Sequence, residues 1–190
     1  MADPMSSVVR DWNASDADRY IKKPSVLQRI SLTSQKSLTR RALKEAGARP
    51  IAGSDAPRLH NIASGLGERL GLGRVDLCLL SGDGANALSG RTDRPVVGVT
   101  RSLLDGYART ELEAIVAHCL VRHREAGRRG VLVGYSDDVR ACALTRYPPA
   151  LASAIEKAHA YKGRYASFYL VADGPTHRPV KERIEALGDL

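Results

Sequence analysis

Cysteine is sparse and unpatterned, with Cys78, Cys119 and Cys142 far apart, odd in number and without a CxxC pair. That spacing argues against a disulfide framework and suits a reducing compartment, where each thiol serves as a small buried apolar group. No window approaches the roughly 18 apolar residues that a membrane-spanning helix needs. The opening MADPMSSVVRDWNASD lacks the apolar core of a secretory leader. Internal repeats and low-complexity tracts are absent too. The expected location is cytoplasmic, with attachment to a membrane surface as the alternative.

What is present is a chain of 190 residues, 43% hydrophobic, which suffices for one core. Lysine and arginine outnumber the acids 29 to 21, a net charge of +8 that permits attraction to an anionic partner without choosing one. Residues 1–45 form a basic N-terminal arm and helix: PSVLQRISLTSQKSLTRRALKE sets Leu27, Ile30, Leu38 and Leu43 on an imperfect helical stripe. Lys22, Lys23, Arg29, Lys36, Arg40 and Arg41 in this region are the candidate contacts for an anionic surface, either membrane or nucleic acid. Aromatic interleaving is missing there, so a base-stacking platform is not indicated.

Residues 46–190 carry an α+β pattern, mostly helical with a small sheet. A helix is expected from about Ser54–Pro57 to Gly71, strands at Val75–Leu80 and Pro95–Thr100, and a further extended stretch at NALSG between them. Thr110 and Glu113 have capping-box spacing, so a helix should start there and run to Gly127. Later helices are expected at about Ser136–Thr145, Pro148–Tyr161 and Pro179–Leu187. His60 and His159 read as ordinary helix-surface residues.

The helix containing TELEAIVAHCLVRH is the chemically suggestive one. A zincin helix carries His-Glu-x-x-His, which sets two imidazoles one turn apart with a glutamate to polarise a metal-bound water. Here the five positions read His118, Cys119, Leu120, Val121 and Arg122.

With AGARPI, NALSG, VVGVTRSLLDGYARTELEAIVAH, ALTRYPPALASAIEKA and THRPVKERIEAL in this order, residues 46–190 resemble the M48 family of zinc metallopeptidases. The resemblance implies a minimal zincin: a small sheet whose edge strand lines the substrate cleft, above a metal-binding helix and a second helix that supplies a glutamate ligand. Carried onto this chain, the first ligand falls on His118, the catalytic glutamate on Cys119, the second histidine on Arg122 and the third ligand on Ser136. Asp137, Asp138, His177, Val97 and Val99 are the candidate cleft residues. A transmembrane hairpin, carried between the two helices by HtpX-like members, has no room between His123 and Ser136.

One ligand of three is retained, so the resemblance implies a degenerate site with no catalytic residue and no metal. A guanidinium at position 122 would repel a divalent ion by about 8 kcal/mol at about 4 Å and an effective dielectric near 20. It should pair instead with Asp137 or Asp138. Cys119 could act as a nucleophile beside His118 or His123, but neighbouring residues on a helix diverge by about 100°. A rebuilt zinc site from His118, Cys119, His123, Cys142 and Asp137 is the alternative cofactor reading.

The function expected first is that of a catalytically inactive pseudopeptidase that binds a protein or peptide, with the VVGVT strand as an exposed edge for strand addition. The alternatives are an active zinc metallopeptidase with non-standard ligands, and a basic membrane-surface or nucleic-acid binding module.

Overall fold

The protein is described by a computed structural model covering residues 26–128 and 131–190, with side chains from residue 34 onward. The basic amphipathic run forms α1 (Val26–Glu45), followed by a two-residue strand β1 (Arg49–Pro50) and α2 (Pro57–Arg69). Pro57 sits in the first turn of α2, where its missing N–H costs nothing. Three strands follow, β2 (Asp76–Leu80), β3 (Ala87–Arg91) and β4 (Pro95–Thr100), then α3 (Arg101–Gly106) and α4 (Arg109–Arg122). The chain closes with α5 (Tyr135–Thr145), α6 (Pro148–Lys157), a 3-10 turn at Ala166–Phe168 and α7 (Val180–Gly188). Lys22 and Lys23 and the side chain of Arg29 lie outside the described residues.

The class is α+β, with a mixed four-stranded sheet in the order β1-β2-β4-β3. β4 runs parallel to β2 and antiparallel to β3, so it is interior. This corrects the expectation that VVGVT offers an exposed edge. All six residues of β4 are buried, and Val97 and Val99 are wholly so. A near-continuous valine run without polar alternation is what burial on both faces of a sheet requires.

α4 is buried on nearly every side, packing against α2, α5, α6 and β3. It begins before the expected Thr110, because Glu111 rather than Thr110 organises the start. The Glu111 carboxylate accepts the Ala108 N–H (2.8 Å) and hydrogen bonds from Ser153 and Lys157. α6 stops at Lys157 rather than Tyr161, which leaves His159 in the following loop, its Nδ1 accepting the Ala85 N–H.

α1 is fastened to this unit by two buried polar side chains. Gln35 donates to the carbonyls of Arg124 (2.6 Å) and Ala126 (2.9 Å), just past the end of α4. Thr39 packs on β3 at Gly90, where a Cβ would stand 2.6 Å from the Thr39 methyl, so glycine is needed for close approach.

Candidate functional site

Three helices bring five ionisable side chains into one buried cluster: His118 and Arg122 from α4, Asp137 and Asp138 from α5, and Arg183 from α7. None is more than 2% exposed. His118 and Arg122 are four apart and share a helix face. Arg122 Nη1 donates to Asp137 Oδ2 at 2.7 Å, and Arg183 grips Asp138 bidentately at 2.8 Å on each oxygen. Two compact ion pairs thus lie inside the core, each arginine also spending donors on backbone carbonyls. Such pairs offset their desolvation only when nearly every donor is satisfied.

His118 lies beside Asp138, Nδ1 to Oδ1 at 3.0 Å. That contact is close enough for charge but misaligned for a hydrogen bond, so both ring nitrogens, with Arg122 Nε, lack hydrogen-bond partners among the described residues. Burial by itself would raise the Asp138 carboxyl. The hydrogen bonds and charge of Arg183, with His118 beside it, outweigh it and hold that carboxyl well below the usual carboxylate range.

On its other side the cluster holds a strand-like stretch of the chain itself. Residues 167–171 run antiparallel along β3, with Tyr169 bridged to Leu88 and the Leu170 N–H donated to Ala87 O at 2.9 Å. Each carbonyl in this stretch accepts from an internal side chain. Arg122 takes Ser167 (3.2 Å), Ser89 takes Phe168 (3.4 Å) and His177 takes Tyr169 (2.9 Å). Arg183 and Asn86 take Leu170 and Val171, each at 2.7 Å. The free side of β3 is therefore occupied by the protein's own backbone. Asp137, Asp138, Val97 and Val99 consequently line no open cleft, contrary to expectation.

The donor set of the cluster differs from that of a catalytic zinc. His118 is the one imidazole at the cluster's centre, and the next position on its face is a guanidinium. The Asp137 and Asp138 carboxylates are already engaged by arginines. A catalytic zinc takes about three protein ligands and an open position. Among the described residues no group of three or more His, Cys, Asp or Glu side chains is placed to hold a metal ion. Ser136, the expected third position, is exposed. The adjacent Asp137 is the residue that faces position 122.

Over 78 residues the chain is 35% identical to a protein named Protease HtpX homolog from Salinibacter ruber (strain DSM 13855 / M31). The match takes in 40% of this chain and 28% of that relative's length. It agrees, distantly and in part, with the M48 resemblance. No family model matches the chain, and no solved structure does.

The remaining candidates separate cleanly. Cys119 is fully buried in the main apolar core with Leu112 and Val116. Burial pushes its thiol up to about 12, against the pull of Arg122, so it has neither access nor a thiolate. The Cys142 thiol, also buried, is likewise pushed up to about 12 by burial and by the Asp138 charge. His123 points away from His118: Nδ1 meets Leu120 O at 2.6 Å and Nε2 meets Arg91 Nη1 at 3.3 Å. Burial, with the Arg124 and Arg91 charges, lowers it to about 4 and keeps it neutral. His177 is lowered to about 4 by burial and the neighbouring Arg183 and Arg122 charges. It joins the cluster only through the backbone of Tyr169.

Two participants were not singled out from sequence, Arg183 and Asn86. Arg183 had a legible signal: it shares the α7 stripe with Val180, Ile184 and Leu187, where an arginine must be buried and paired or spoil the stripe. Asn86 had none, because its role is to tie Val171 and His159, both remote in sequence, to the start of β3.

Proposed function

We propose that this chain is a peptidase-like scaffold without metal-dependent hydrolysis that acts by binding a protein or peptide. The observation that carries the reading is Arg122: a fully buried guanidinium paired to Asp137 at 2.7 Å, in the position where a zincin helix has its second histidine. A cation supplied by the fold replaces one supplied by solvent. The partial likeness to a protein named as a protease supports the ancestry, and the substitutions at 119, 122 and 136 support the loss.

Binding by strand addition at β4 is excluded by its interior place, and the free side of β3 is filled. The surface that suits a partner is a groove of about 920 Å³ beside β1 and β2. Its lining is apolar at Ile51, Ala63, Val75 and Leu77, with His60 and Glu68 supplying polar groups. Apolar walls with a few polar groups match the chemistry of a peptide-accepting site.

The test combines metal content with capture. Protein purified without added metal should hold no stoichiometric zinc and leave casein intact. A peptide library should yield ligands whose capture survives chelator and is lost in Ser64→Trp, which fills the groove from its rim. Stoichiometric zinc together with chelator-sensitive cleavage would overturn the proposal and favour the active metallopeptidase.

A further inference from the structure

Next to that groove, with Arg74 common to both linings, a cavity of about 280 Å³ lies between the α2–β2 loop, the β3–β4 turn and the chain just after α4. Among the described residues its charged lining is Arg74, Arg91, Arg94 and Arg124 with one carboxylate, Asp93. That carboxylate is already taken by α1, through Lys36 at 2.9 Å and Arg40 at 3.7 Å. Arg74 and Arg94 lean on Asp76 at 3.9 and 3.7 Å, with side chains 78% and 52% exposed. Pairs that long and that wet hold little energy and can be exchanged for a better anion.

Arg91 is the fixed member of the group. Its Nη1 donates to the neutral His123 Nε2, and its backbone N–H donates to Thr39 Oγ1 at 3.3 Å. One neutral acceptor thus orients this guanidinium without neutralising it. The fold gathers the arginines from three separate chain segments, so their convergence is a property of the tertiary structure and not of one basic run.

We propose that this cavity is a binding site for a phosphate-bearing anion. Planar fork donors match phosphate oxygens in pairs, and a group carrying two or more charges answers several guanidiniums where a lone carboxylate cannot. Among the described residues no aromatic side chain lines the cavity, so they give a stacked nucleobase no platform there. The phosphate can come from a soluble ligand or from a lipid head group, since Lys36 and Arg40 extend the positive field along α1. The site is separate from the buried cluster, and it adjoins the peptide groove at Arg74, which lines both.

The experiment is titration calorimetry of the full chain with sodium pyrophosphate at low ionic strength, paired with sedimentation on phosphatidic acid–phosphatidylcholine vesicles. The expected result is one saturable site, weakened at least tenfold in Arg74→Gln/Arg94→Gln and within twofold of wild type in the control Arg101→Gln/Lys181→Gln. Both pairs remove exposed charges, and circular dichroism checks that each variant is folded. Pyrophosphate binding without vesicle binding identifies a soluble phosphate ligand. Vesicle binding that pyrophosphate displaces identifies a head group. Absence of saturable binding to both probes, or an equal loss in the control pair, overturns the proposal.

Discussion

Replacing Arg122 by methionine keeps most of its volume and removes its charge. Asp137, 2% exposed, is then left as a carboxylate whose salt-bridge partner at 2.7 Å has gone. Breaking one side of a buried pair costs about 3–5 kcal/mol, mostly the penalty of stranding the other ion. The Ser167 carbonyl also loses its donor at 3.2 Å. Arg122→Met should therefore destabilise by about 4 kcal/mol, and Asp137→Leu, which strands the guanidinium, by a similar amount. The double variant removes both charges and should recover to within about 2 kcal/mol of wild type, because an apolar pair can replace a buried ionic one at little cost. Urea unfolding followed by circular dichroism reads this directly: with a slope near 2 kcal/mol/M, each single variant moves the midpoint down by about 2 M at unchanged slope. Single variants within about 1 kcal/mol of wild type, or a double as unstable as the two singles summed, would refute the picture of a tightly paired core.

Arg183→Met should cost about as much, since it strands Asp138 and frees the Leu170 carbonyl; unfolding in urea checks it. Stability should also fall as pH drops from about 6.5 towards 4. His123 and His177 are held at about 4 in the folded state, so the unfolded chain binds protons first, and His123 alone contributes a loss on the order of 3 kcal/mol. Below about 4 the depressed Asp138 adds to the loss, because its stabilisation exists above the unfolded carboxylate pKa and disappears as pH falls further. Urea midpoints at pH 7.5, 5.5 and 4.5 that coincide would contradict this. Gly127→Ala should destabilise by several kcal/mol, measured by thermal melting, since its φ is +78° and an added Cβ would sit 2.2 Å from the Phe168 ring.

The helices and the sheet class were legible because their signals are local: apolar stripes, prolines in first turns, a valine run. The order of the strands was not. Nothing within Pro95–Thr100 tells that β2 and β3 flank β4 from opposite sides. Absence of polar alternation was the clue, and it indicates burial without naming the neighbours. The site was legible in part for a similar reason. The i, i+4 relation of His118 and Arg122 follows from helix geometry, and an arginine there demanded a carboxylate, found in Asp137. The closure of the β3 edge was illegible, because Ser167–Val171 has no periodicity of its own and is held by donors from β3, α4, α7 and the loops that precede β3 and α7.

That closure bears on what the cluster is for. In the present arrangement Arg122 and Arg183 each join a carboxylate of α5 to a carbonyl of the 167–171 stretch, so the pairing of helices and the filling of the strand edge are one interaction. Arg122→His probes whether the two can be separated. An imidazole at 122 would stand on the face of His118 and opposite Asp137, assembling three donors of the kinds zinc accepts. Losing the guanidinium would at the same time release Ser167. If the filled edge depends on Arg122, this variant should gain zinc affinity by calorimetry and also faster amide exchange at residues 167–171. Zinc binding with unchanged exchange would mean that β3 and Arg183 hold the stretch by themselves, and that Arg122 serves α5 alone.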